Sequence, residues 1–253
     1  KVRKWGSVGF IVAVFGIGAL LEIIPSSMLP VLLLCIAFLA FIWSFSIKEP
    51  SAAPSSQKQL EPLWPVLKRP VVACFFLIEF ILLFSHAPFY SFYSNYLSQA
   101  GFSTSIIGLL WSVGVIAEII MFAYATFFLS RWSWRMLVMA CLLLTGLRWI
   151  IVGLVPDSFI AQFFAQTIHA FSFGLFHVIA MRVIFQNFSL GQQGRGQAIY
   201  STMWGMGVAL GSILAGYYWD IFSGQTVFIW AGLSTLLGLL LVFGLPKQLQ
   251  KQA

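Results

Sequence analysis

Arg148, Glu79, Glu118, His86, His169 and His177 each stand inside a run of otherwise apolar residues. One cation, two carboxylates and three imidazoles in such surroundings can hold a proton, hand it on, or bind an anion. A guanidinium at the centre of a bilayer costs about 3 kcal/mol on insertion scales, so it needs an acceptor within the protein. Arg148 lies about 13 residues, or about 20 Å of helix, beyond Arg135, too deep to reach water along its own side chain. Its expected role is to pair with a carboxylate and help that acid release a proton, with an anionic solute as a second partner. An ion pair that merely joins two helices is the plainer alternative.

Glu118 is the best carrier of that proton, because it sits between Ala117 and the run Ile119-Ile120-Met121-Phe122. Its plainer alternative is a permanently ionised partner of Arg148. His169 falls at a depth similar to Arg148, and His177 lies eight residues on, about 80° round the helix and about 12 Å further along. Glu79, His86 and Tyr93 recur every seven residues with Tyr90 close by, which puts acid, imidazole and phenol on one helix face. That stripe is expected to face a cavity and contact solute, with His177, although a tyrosine of the interfacial belt explains Tyr93 equally well. Pro88, between them, removes one backbone hydrogen bond. Glu22 and Asp220 fall near helix ends and read as solvated or capping residues.

The elements that must position these groups follow from composition. The chain is 60% hydrophobic and 8% charged, with mean hydropathy +0.94. A soluble chain of this length would need far more polar surface. The sequence therefore predicts an all-α, polytopic membrane protein whose environment is the lipid bilayer. A net charge of +7 would suggest nucleic acid in a soluble protein, but topology accounts for it here and no nucleic-acid partner is expected. Eight spans are predicted, at about 6–24, 28–46, 70–96, 104–129, 135–155, 158–186, 197–218 and 225–245. Turn residues separate them, as in Pro156-Asp157-Ser158 and Ser223-Gly224-Gln225.

Thirteen of the fourteen Lys and Arg residues fall in alternate loops: Lys1/Arg3/Lys4, Lys48/Lys58/Lys68/Arg69, Arg131/Arg135, Arg182/Arg195 and Lys247/Lys251. Positive loops stay cytoplasmic, so both ends of the chain are expected there, in a bacterial inner membrane. The exception is Arg148. The Pro/Ser/Gln-rich stretch 47–69 reads as a linker between residues 1–46, which hold two helices, and a six-helix bundle at 70–246, with a cytoplasmic tail at 247–253. Two helices make a poor bundle, so a truncated N-terminal half is expected.

Several stretches carry a family resemblance. They are Lys1-Val2-Arg3-Lys4-Trp5-Gly6-Ser7, Ser85-His86-Ala87-Pro88-Phe89-Tyr90-Ser91-Phe92-Tyr93, Leu110-Trp111-Ser112-Val113-Gly114-Val115-Ile116-Ala117-Glu118, Leu147-Arg148-Trp149, and Ile168-His169-Ala170-Phe171-Ser172-Phe173 with His177-Val178-Ile179-Ala180-Met181-Arg182. In this order they resemble helices five and seven to ten of the major facilitator superfamily, in the 3-phenylpropionate permease group. More distantly they resemble lactose permease and nucleoside symporters. The resemblance implies the last eight of twelve helices, with four preceding helices supplying the rest of a midplane site. It also implies proton symport of a small aromatic carboxylate by alternating access. A nucleoside or sugar symporter is the alternative within the family. A glutamate expected one turn after His169 is replaced by Ser172, which shifts the proton-carrying role to Glu118.

No enzyme is expected. The chain has no His-Glu-x-x-His or Gly-x-Ser-x-Gly pattern, and Gly191-Gln192-Gln193-Gly194-Arg195-Gly196 follows a span with no strand before it. No cofactor or metal is expected either, since Cys35, Cys74 and Cys141 lack zinc spacing. A non-transporting receptor or assembly factor of the same fold is the remaining rival. Gly205, Gly207, Gly211 and Gly216 are expected to allow close helix packing. Arg131 and Arg135 resemble the superfamily's basic loop and serve equally as positive-inside anchors.

Overall fold

The computed structural model describes residues 9, 13, 16, 20, 23–46 and 62–246. The chain divides into two compact units, Lys1–Leu60 and Glu61–Ala253. In the first unit, a 3-10 turn at Ser26–Met28 leads into α1, Leu29–Ser44, which carries Pro30 in its first turn and buries none of its residues. Its 16 residues are apolar all round but fall short of the length that crosses a bilayer unaided. Most of the predicted first span lies outside the described residues.

The second unit begins with a single helical turn, α2 (Trp64–Leu67). The polar composition of the stretch read as linker gives way here to Leu63-Trp64-Pro65-Val66-Leu67. Val66 is buried in the main apolar core, and Arg69 Nη1 donates to the Asn187 carbonyl at 3.1 Å. The end of the expected linker is thus tied to the bundle.

The helices that follow are α3 (Pro70–Gln99), α4 (Thr104–Arg131), α5 (Trp134–Leu154), α6 (Phe159–His169), a π-helical segment (Ala170–Leu175), α7 (Phe176–Asn187), α8 (Gln193–Trp219) and α9 (Gly224–Val242). Counting α6 through α7 as one, six helices among the described residues are long and apolar enough to cross a membrane. Serine starts four of them. Ser103, Ser133, Ser158 and Ser223 each accept a hydrogen bond from the backbone N–H three residues on, as capping side chains do. Gly101, at φ 93°, supplies the left-handed turn between α3 and α4.

Helix α3 packs against α8 and α9, α5 against α9 and α6, and α4 against α6 and the π segment. The α3–α8 crossing is close because of Gly207 and Gly211. A methyl at Gly211 would lie 2.6 Å from both the Phe84 carbonyl oxygen and Ala87 Cβ. One at Gly207 would lie 2.7 Å from the Phe80 carbonyl oxygen. Phe84 is the residue whose carbonyl loses its helical N–H partner to Pro88, so the glycine face meets the helix where its ladder is interrupted. By contrast, nothing lies within 4 Å of a methyl at Gly205.

The interior holds two apolar clusters. One contains Phe75, Leu82, Val138, Leu142, Phe176 and Ile179; the other contains Phe89, Tyr93, Leu110, Trp149, Val152 and Phe228. Along α3, α5 and α6 the change from one cluster to the other falls at His86, at Arg148 and at Gln166–His169. The buried polar residues form a layer between two dry cores.

Candidate functional site

Arg148 is fully buried, at 0% exposure, and its guanidinium is held by two hydrogen bonds and two aromatic rings. Nη1 donates to His169 Nδ1 at 3.0 Å, and Nη2 donates to Gln166 Oε1 at 3.1 Å. The Phe89 and Trp149 rings lie against the group, with Cζ 4.4 and 4.2 Å from their centroids. Because a guanidinium only donates, His169 Nδ1 is the acceptor, and the ring's own proton sits on Nε2. The sequence proposed carboxylates as partners. The hydrogen bonds that Arg148 makes go instead to a neutral imidazole and a neutral amide.

His86 joins the same layer. Its Nδ1 donates to the Leu82 carbonyl at 2.8 Å, which leaves Nε2 as an acceptor 3.3 Å from Ser172 Oγ. Ser172 Oγ also lies 3.2 Å from the His169 carbonyl, so its single proton serves one acceptor at a time. The residue that stands where the family resemblance expects an acid is therefore the link between His86 and the turn that carries His169. Trp149 packs edge-on to His86 with centroids 4.9 Å apart, and its Nε1 donates to Ser85 Oγ at 3.2 Å.

The π segment follows His169 directly. Its wider turn shows in the Phe176 N–H, which reaches the Phe171 carbonyl five residues back. Gly174 in this segment faces Glu118: a methyl there would meet Glu118 Cγ at 3.4 Å. One turn earlier on α4, a methyl at Gly114 would meet Gln166 Oε1 at 3.1 Å and His169 Cδ2 at 3.4 Å. Buried Glu118 thus projects from the helix face that abuts both hydrogen-bond partners of Arg148.

The remaining candidates separate. Tyr93 donates to Gln162 Oε1 at 3.3 Å, and Gln162 Nε2 donates to the Val155 carbonyl at 3.0 Å. Half-buried Tyr90 packs against Trp204, with centroids 5.9 Å apart. His177 Nδ1 lies 3.1 Å from the Tyr200 hydroxyl of α8, two turns beyond His169. Glu79 is sealed in the first apolar cluster, and neither carboxyl oxygen has a hydrogen-bond partner among the described residues. The stripe of Glu79, His86 and Tyr93 is buried in packed protein, His86 against Trp149 of α5 and Ser172 of the π segment, and Tyr93 against Trp111 of α4 and Gln162 of α6. Sequence reasoning passed over Gln162 and Gln166, although they share a helix face with His169 at intervals of four and three residues.

The family model described as the MFS_1-like family matches residues 1–230. This chain belongs to that family, within the major facilitator superfamily. It is 30% identical over 240 residues to the "probable 3-phenylpropionic acid transporter" of Escherichia coli (strain K12), an alignment covering 90% of this chain and 60% of that protein. It is 25% identical over 258 residues to the "uncharacterized transporter YwbF" of Bacillus subtilis (strain 168), covering 99% of this chain and 62% of the relative. To the "xanthosine permease" of Escherichia coli (strain K12) it is 25% identical over 267 residues, covering 96% and 64%. The chain spans less than two thirds of the length of these relatives. Its all-helical architecture with six membrane-length helices is that of a polytopic protein of the superfamily.

Proposed function

We propose that this family member carries a small organic solute across a bacterial inner membrane together with a proton, by alternating access. The observation that carries the reading is the Arg148 cluster: a fixed cation inside an apolar bundle, held by neutral acceptors and walled by aromatic rings. The solute best suited to it is a small aromatic carboxylate such as 3-phenylpropionate, in keeping with the name of the 30% identical relative. A nucleoside is the second reading, favoured by the relative named as a xanthosine permease.

In this scheme Glu118 carries or relays the proton, Arg148 is its counter-charge, and His169 and His86 line the path. Proton loading neutralises Glu118 and leaves the guanidinium's field to an incoming anion, so proton and carboxylate cross together with no net charge. Tyr90 and His177 are the half-buried members of the solute-contact set, while Glu79, His86 and Tyr93 become accessible only when the bundle opens. Four preceding helices supply the facing half of the site. Lys68, Arg69, Arg131, Arg135 and Arg195 lie at or just beyond helix ends, and Arg182 lies five residues before the end of α7; this side is proposed to be cytoplasmic and to hold both ends of the chain.

Uptake of labelled 3-phenylpropionate and xanthosine by membrane vesicles containing the complete gene product separates the two solute readings. Glu118→Gln is expected to abolish solute-driven alkalinisation while exchange of labelled for unlabelled solute continues. Alkalinisation that survives this substitution removes Glu118 from the coupling scheme.

A further inference from the structure

Two hydrogen-bond donors beside the Arg148 charge have no acceptor among the described residues: Arg148 Nε and Gln166 Nε2. Both side chains are sealed from solvent, with Gln166 at 1% exposure. Arg148 Nη2 and Gln166 Oε1 are 3.1 Å apart, so covalent geometry keeps the two orphan donors within roughly 7 Å of each other. Tyr93 lies beside Gln166 and donates its own proton to Gln162, while Gln166 Nε2 makes no hydrogen bond to the Tyr93 oxygen. Phe89 and Trp149, with centroids 5.4 Å apart, line one side of the guanidinium, and two of its edge groups are taken by His169 and Gln166.

What remains, besides the second hydrogen on each of Nη1 and Nη2, is the Nε–H of a permanent cation with an unused amide beside it. Two donors and no acceptor suit a planar anion and discriminate against cations and neutral donor groups. Aromatic surface lies close by. Phe89 packs at a tilt on half-buried Trp111 with centroids 4.3 Å apart, and Tyr93 meets the same indole at 5.8 Å.

We infer that Arg148 Nε and Gln166 Nε2 form the seat of the solute's carboxylate, with its hydrocarbon part against Phe89, Trp111 and Tyr93. The inference rests on the proposed transport of an aromatic carboxylate and adds the atoms that would read the acid. It makes Gln166 a specificity-determining residue. Arg148 alone attracts any anion, whereas the amide N–H fixes where the second oxygen must lie. The seat is closed in this conformation and loads when the bundle opens towards Trp111.

The test compares 3-phenylpropionate with 3-phenylpropionamide, two molecules of the same shape of which only one carries a carboxylate. Binding is measured by calorimetry on the purified complete gene product. The wild type is expected to bind the acid about ten- to a hundredfold more tightly than the amide, the size of hydrogen bonds to a charged group. Gln166→Glu keeps the acceptor for Arg148 Nη2 and the side-chain shape but replaces the orphan donor with a second oxygen. It should reduce the preference to less than about threefold, with an unchanged melting temperature. Gln166→Met, which has a similar length and no polar group, should do the same.

Equal binding of acid and amide by the wild type overturns the seat without any variant being needed. So does a preference that survives both substitutions, and in that case the transport reading stands. If the wild type binds neither compound, the aromatic-carboxylate reading falls and the seat falls with it.

Discussion

Arg148→Ala is expected to reduce solute accumulation by more than about a hundredfold while changing the stability of the fold by no more than about 2 kcal/mol. The two effects diverge because opposing terms cancel in one and not in the other. Burying the guanidinium costs several kcal/mol of lost hydration. It is offset by two charge-assisted hydrogen bonds of about 1.5–3 kcal/mol each and by ring contacts of about 2 kcal/mol. Alanine removes both sides of that balance, leaving a small cavity and two acceptors, His169 Nδ1 and Gln166 Oε1, without their donor. Transport has no such compensation, since every other Lys or Arg lies in a loop or within about two turns of the end of a predicted span. Arg148→Lys keeps the charge but lacks the planar fork that reaches both acceptors while packing against two rings, so it should also fail to accumulate solute. Thermal melting of the purified variants, set beside vesicle uptake, checks both halves of the prediction. Near-normal accumulation by Arg148→Ala would sink the site.

The second large effect is mechanical. Gly211→Ala places a methyl 2.6 Å from the Phe84 carbonyl oxygen, a backbone atom that cannot rotate away. Helices α3 and α8 must then separate, at a cost of about 1–3 kcal/mol. Because α3 also carries His86, Phe89 and Tyr93, the separation disturbs the Phe89 face of Arg148 as well. Gly211→Leu should be worse on both counts. Gly205→Ala, which meets nothing within 4 Å, serves as the control and should hold or slightly raise the melting temperature. Equal melting of Gly211→Ala and Gly205→Ala would show that the crossing is looser than described.

The helices were legible because their signals are local. Long apolar runs mark the spans, and Ser103, Ser133, Ser158 and Ser223 start four of them. Arg148 was legible as an anomaly of charge. Its partners were not, because charge alone directs attention to acids, whereas the donors of a buried cation can be satisfied by any well-placed oxygen or nitrogen. Gln166 carries no charge and so gave no warning, although its spacing from His169 did. The wide turn after His169 also escaped notice, since Ala-Phe-Ser-Phe-Gly-Leu reads as ordinary helix. The spacing of Glu79, His86 and Tyr93 puts them on one face of α3, but which neighbours close over a face is a property of the assembled bundle.

The polar layer between the two dry cores also bears on how the protein is made. Synthesis delivers α5 before α6, so Arg148 can enter the membrane before Gln166 and His169 reach it. Only the rings of Phe89 and Trp149 are then available to shelter it. Insertion of α5 must therefore be carried by its own apolar residues, and the next helix completes the shelter only on arrival.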